Sequence, residues 1–130
     1  MKLALITDTH WGVRNDSPIM HNQMKKFLDE IFFPTIDAQG IDTIVHLAAL
    51  VRVGESVREP YRYYNNNIKG TYDTLQFFKY RNFVFASTGT AENPTSPYGL
   101  SKRVCENIIE EYCNVNQIDY TMFRFYNVTG

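Results

Sequence analysis

No charge of one sign dominates this chain: 13 Lys and Arg stand against 14 Asp and Glu, a formal net charge of -1. That balance excludes the basic footprint of a nucleic-acid or anionic-membrane binder. Apolar runs of membrane-spanning length are absent, and Met1-Lys2-Leu3-Ala4-Leu5-Ile6-Thr7-Asp8 meets its first acid too early for a secretory leader. Cysteine is scarce. Cys105 and Cys113 lie eight apart on one expected helix, poorly placed to bridge each other, so they are read as reduced core thiols of a cytoplasmic protein. Internal repeats, linkers and low-complexity segments are lacking as well. Glycine numbers only seven, and the loop Thr7-Asp8-Thr9-His10-Trp11-Gly12 after the first apolar run contains one of them. Such a loop is not a glycine-rich phosphate turn.

Aromatic residues are abundant, nine Tyr, nine Phe and one Trp in 130 residues, which suits one packed α/β domain. Leu3 to Ile6 has the length and apolarity of a buried parallel strand. Ser17 as N-cap and Pro18 at the first helical position open a helix with Met20, Met24, Phe27, Leu28 and Ile31 on one face; Pro34 should kink it and Gly40 close it. Thr43 to Leu50 reads as the second strand, followed by a loop over Gly54 to Pro60. A helix over Tyr61 to Tyr80 carries Tyr64, Ile68, Leu75 and Phe78 in phase, with Gly70 a weak point. Phe83 to Ala86 is a third strand, Tyr98 to Asn116 a helix striped by Val104, Cys105, Ile108, Ile109, Tyr112 and Cys113, and Tyr120 to Tyr126 a fourth strand. Alternation of strand and helix implies a parallel sheet with right-handed crossovers. If neighbours in sequence are neighbours in the sheet, the helices fall mainly on one face. The other face, apolar but bare, then favours a homo-oligomer.

Chemistry concentrates in Ser87-Thr88-Gly89-Thr90 and Pro97-Tyr98-Gly99-Leu100-Ser101-Lys102. Tyr98 and Lys102 are four apart at a helix start and share a face, where an ammonium can stabilise a phenolate and let the tyrosine act as a base. Together with Ile44-Val45-His46-Leu47-Ala48-Ala49-Leu50-Val51-Arg52-Val53-Gly54-Glu55-Ser56-Val57, Tyr63-Tyr64-Asn65-Asn66-Asn67-Ile68-Lys69-Gly70-Thr71 and Arg124-Phe125-Tyr126-Asn127, this frame makes residues 44–130 resemble the extended short-chain dehydrogenase/reductases. Within that family the likeness is to UDP-glucose 4-epimerases and related nucleotide-sugar epimerases and dehydratases. The resemblance implies a truncated Rossmann-like fold with a four-stranded sequential parallel sheet, NAD as cofactor and a nucleotide sugar as substrate. It also implies roles: Thr88, Tyr98 and Lys102 catalytic; Ala48, Ala49, Leu50, Asn67 and Lys102 at the cofactor; Asn127 at the sugar nucleotide. Without the phosphate turn, and ending at Gly130, the chain is expected to be weak or inactive alone.

Residues 1–47 are similar instead to the opening of calcineurin-like metallophosphoesterases, through Asp8-Thr9-His10-Trp11-Gly12 and Asp42-Thr43-Ile44-Val45-His46-Leu47. That resemblance implies Asp8 and His10 as vestigial metal ligands, since Ala48-Ala49 stands where the bridging carboxylate would be. One composite domain over residues 1–130 is therefore expected, joined at Ile44 to Leu47. A non-catalytic α/β domain and a phosphoesterase remnant are the alternatives. His46 reads as a core histidine, His21 and the Arg52, Arg58, Arg62 group as solvated, and Trp11 as packing over the strand ends.

Overall fold

A computed structural model describes residues 2–7, 18–77 and 81–126. Four short apolar runs become strands: β1 is Leu3–Ile6, β2 Thr43–His46, β3 Asn82–Thr88 and β4 Asp119–Phe125. All pair in parallel, in the order β1-β2-β3-β4. Helix α1 runs through Pro18–Phe27, Leu28–Phe32 and Phe33–Gln39, and α2 is Val53–Arg58. Helix α3 runs through Pro60–Tyr63, Tyr64–Lys69 and Gly70–Phe77, and α4 is Pro97–Asn116.

The middle stretches of α1 and α3 are π-helical. In α1 the widening precedes Pro34, which has no N–H to give to the preceding turn, and the ladder steps to Phe33 N–H on the Leu28 carbonyl. Gly40, with φ 62°, then ends the helix in the left-handed conformation that glycine adopts freely. Two sequence expectations shift. Strand β2 stops at His46, because residues 47–50 leave the sheet and are held by a side chain of α3, and the loop expected over Gly54 to Pro60 contains α2.

Strand register sorts side chains into two faces. One carries the rows Ala4, Ile44, Phe83, Tyr120 and then His46, Phe85, Met122. Ile36 of α1, Leu75 of α3 and Cys105, Ile109 and Cys113 of α4 close over it to form the core. The opposite face carries Leu5, Val45, Val84, Thr121 and then Ala86, Phe123. Burial alternates along β3 and β4 accordingly, and Leu5, Phe123 and Phe125 are exposed. Each right-handed crossover advances the sheet in the same direction, so each lays its helix on the same side. The Rossmann-like architecture expected from the sequence, a four-stranded parallel sheet in sequential order with helices on one face, is what forms.

Candidate active site

The site assembles at the carboxyl ends of β2 and β3, where an open parallel sheet presents its loops. Strand β3 ends in Ser87 and Thr88, and a single tight turn, Gly89–Ala91, follows. Ser96 caps α4 by accepting the Gly99 N–H at 3.1 Å, with Pro97 at the first turn. The start of α4 lies hard against the turn: a Cβ on Gly99 would stand 2.9 Å from the Thr90 carbonyl oxygen. That close approach carries Tyr98 to Thr88.

Tyr98 is buried, its phenol close enough to the Thr88 side chain for that group to act on its pKa and its ring edge-on to Tyr63 at 6.4 Å between centroids. Burial raises the phenol's pKa and the neighbouring Thr88 side chain pulls it back, with a net rise. At rest Tyr98 is therefore protonated. One turn on, the Lys102 ammonium is buried and lies 4.1 Å from the centroid of the Phe85 ring. Burial pushes it down to about 8, against the opposing charges of Cys105 and Glu106. The lowering of the phenol by the ammonium, expected from sequence, is not the resting condition, in which burial and Thr88 act on Tyr98 and the ammonium rests on an aromatic face.

Around this pair the polar groups are knitted together. Asn67 accepts the Leu50 N–H at 2.8 Å and donates to the Leu50 carbonyl at 3.0 Å, pinning the loop that carries Ala48, Ala49 and Leu50 across the strand ends. The same amide donates to Ser101 Oγ at 3.0 Å, and Ser101 donates to the Tyr98 carbonyl at 2.7 Å. Tyr63 continues the pinning: its hydroxyl accepts the Arg52 N–H at 3.0 Å and donates to Glu55 at 3.1 Å. His46, with Nε2 3.1 Å from Thr71 Oγ1, stacks on Phe85 at 5.7 Å. Burial and the Lys102 charge hold His46 down to about 3, so it is neutral. Its Nδ1 has no partner among the described residues, which assigns Nε2 as the protonated nitrogen, a bare lone pair being cheaper than a bare N–H.

Thr88, Tyr98 and Lys102 thus converge, with Ala48, Ala49, Leu50 and Asn67 beside them. Asp8, His10, Trp11 and Asn127 lie outside the described residues, and among those described no group of three His, Cys, Asp or Glu could hold a metal. Arg62 of α3 is paired with Glu55 of α2 at 2.6 Å and with Glu59 between the two helices at 3.5 Å, so it is committed to tying those helices together. Sequence reasoning overlooked Tyr63, Ser101 and Glu106. The signal was there: Tyr63, Asn67, Thr71 and Leu75 are spaced by four and all buried, as are Tyr98, Lys102 and Glu106. A search for apolar stripes misses lines whose polar members are paired.

Known proteins resemble this chain in sequence and in fold. UDP-glucose 4-epimerase uge1 of Schizosaccharomyces pombe is 35% identical over 125 residues, covering 79% of this chain and 34% of the relative. The UDP-glucose 4-epimerase of Halalkalibacterium halodurans is 30% identical over 140 aligned positions, covering 93% of this chain and 41% of its own. Among solved structures, UDP-glucose 4-epimerase of Thermotoga maritima with UDP-glucose superposes with a TM-score of 0.70 at 28% identity over 97% of this chain and 48% of that one. UDP-glucose 4-epimerase from Brucella ovis in complex with NAD gives 0.75 over 100% of this chain and 53% of that one; at 21% identity it bears on the fold alone. The chain spans between about a third and a half of these proteins. Residues 29–130 match the NAD dependent epimerase/dehydratase family, and the chain belongs to that family.

Proposed function

We propose that this chain carries the proton-handling half of a nucleotide-sugar epimerase or dehydratase. The observation that carries the reading is the meeting of Thr88, Tyr98 and Lys102 at the end of β3, built from two segments nine or more residues apart. Thr88 would hold the sugar hydroxyl, Tyr98 take its proton and later return it, and Lys102 face the phenolate with a positive charge. The raised pKa makes the phenol a weaker acid and its phenolate a stronger base, so the positive charge of Lys102 is what would favour the ionised form that takes the sugar's proton.

The residues present fit the nicotinamide end of NAD: Lys102 is a buried cation with hydrogen-bond donors beside the Asn67-pinned loop of Ala48, Ala49 and Leu50. The diphosphate end is less well served, because the loop after β1 has a single glycine. When bound, NAD supplies the hydride acceptor. Asn127 would meet the nucleotide sugar. Free, buried thiols at Cys105 and Cys113 suit a reducing, cytoplasmic setting.

Calorimetry with NAD and then with UDP-glucose tests this directly. Heat of binding for NAD, with interconversion of UDP-glucose and UDP-galactose that Tyr98→Phe abolishes, is the expected result. No heat with either ligand reduces the reading to ancestry.

The bare sheet face favours a second reading, an oligomer in which a second copy covers Leu5, Phe123 and Phe125. Light scattering that shows a dimer supports it, and a clean monomer removes it. The composite origin of residues 1–47 and a phosphoesterase use of Asp8 and His10 rest on sequence resemblance. Turnover of a generic phosphodiester with manganese, lost in Asp8→Ala, would carry that use, and no turnover removes it.

A further inference from the structure

A buried carboxylate that the chemistry above does not use sits one turn beyond Lys102. Tyr98, Lys102 and Glu106 follow at intervals of four and share the inward face of α4. Glu106 Oε1 accepts from Ser87 Oγ at 2.5 Å and from Arg124 Nε at 3.0 Å, while Oε2 accepts from the second nitrogen of the same guanidinium at 2.8 Å. Arg103 approaches Oε2 at 3.6 Å. Ser87 and Arg124 are register partners on β3 and β4, so one carboxylate grips a cross-strand pair. Ser87 immediately precedes Thr88 in the chain.

We propose that Glu106 is a positioning residue, which clamps the helix bearing Tyr98 and Lys102 to the strand bearing Thr88 and supplies a fixed negative charge one turn from the Lys102 ammonium. It deepens the epimerase-type reading and takes its functional meaning from it.

Two features separate this from a purely mechanical clamp. The carboxylate is ionised: burial pushes it up, but hydrogen bonds from Arg124 and Ser87 and the charges of Arg124 and Arg103 outweigh that and leave it below its ordinary range. It also stands almost alone as a counter-charge. Lys102 is faced from β2 by His46, which is neutral, from β3 by the Phe85 ring, and from its own helix by Cys105 and Glu106. Burial raises the Cys105 thiol, so that group is uncharged when Lys102 titrates. Among these neighbours Glu106 alone is negative near neutral pH. Without it, burial would strip the proton from Lys102 closer to the working range, and a phenolate at Tyr98 would lose its cation.

The experiment is a pH titration of Lys102, followed by NMR at the ε-carbon in the full chain labelled at lysine, with Lys102→Arg giving the assignment. Glu106→Gln keeps the shape and removes the charge; the Lys102 midpoint is expected to fall by about half a pH unit or more. Arg124→Gln loosens the clamp and leaves the charge; the midpoint is expected not to fall. Equal midpoints in Glu106→Gln and the parent chain overturn the proposal, as does a fall of equal size in Arg124→Gln. Should Glu106→Gln fail to fold, Glu106→Asp retains the charge, and it must hold the Lys102 midpoint near the parent value or the proposal fails. The titration needs neither cofactor nor sugar, so a chain that binds no NAD would sink the epimerase-type reading and leave this result intact.

Discussion

Phe85 and Phe123 lie on strands paired side by side, yet one is 1% exposed and the other 53%. Residue type does not distinguish them, and neither does strand length. Phe85 points to the side where every crossover has laid its helix, and Phe123 to the side where none has. The covered face gains a core, a cation over an aromatic ring and a chain of paired polar groups; the bare face offers the same apolar chemistry with none of the described helices against it. A parallel sheet usually hides both faces. Here the face on which the site is built is the one that could be closed by local connections.

The sharpest way to break that comparison is to truncate both rings. Phe85→Ala should lower unfolding free energy by about 3–5 kcal/mol, and Phe123→Ser should change it by no more than about 0.5 kcal/mol in a monomer, by denaturant melts. A large, concentration-dependent loss in Phe123→Ser would mean that the second face is also covered, by another copy.

Polar burial on the covered face has a cost that a pH series exposes. Lys102 is pushed from an ordinary 10.5 down to about 8, so the unfolded chain holds its proton where the folded chain has lost it, and stability rises as pH climbs from 8 to 10.5. Lys102→Met should therefore stabilise the fold by on the order of 3 kcal/mol at pH 7, with the gain gone near pH 10.5. A destabilised Lys102→Met chain at pH 7 would show that the ammonium contributes to the core.

His46 acts at the other end of the scale. Its folded value lies near 3 against 6.5 unfolded, so the unfolded chain takes up protons first and stability is lost as pH falls below 6.5. Between pH 6.5 and 5 the loss should be about 2 kcal/mol, and His46→Gln should flatten that slope in thermal melts. The smallest effect belongs away from both faces. Gln117 closes α4 at φ 57°, and Gln117→Gly should gain up to about 1 kcal/mol, by relief of the left-handed conformation.

Much of this was readable before folding. The apolar runs at Leu3, Thr43, Phe83 and Tyr120 announced strands because apolar stretches of that length have one economical use in an α/β chain. Tyr98 and Lys102 were visible because helical spacing is local. Asn67 was visible through resemblance, while its grip on the Leu50 backbone depends on a loop 17 residues away. Strand β2 was drawn too long because Leu47 to Leu50 are apolar, and apolarity does not say whether a neighbouring strand or a side-chain amide will satisfy the backbone. Tyr63 and Glu106 were missed for a related reason: a buried polar atom looks like a surface residue until its partner is known.

The order of strands, their parallel pairing and the face that the helices choose follow from the sequence alone, since periodicity, short connections and crossover handedness act through nearest neighbours in the chain. Tertiary structure decided which polar groups would be buried and what charge each would carry. Desolvation and ion pairing depend on distances between residues remote in sequence, and those exist only once the sheet has closed under its helices.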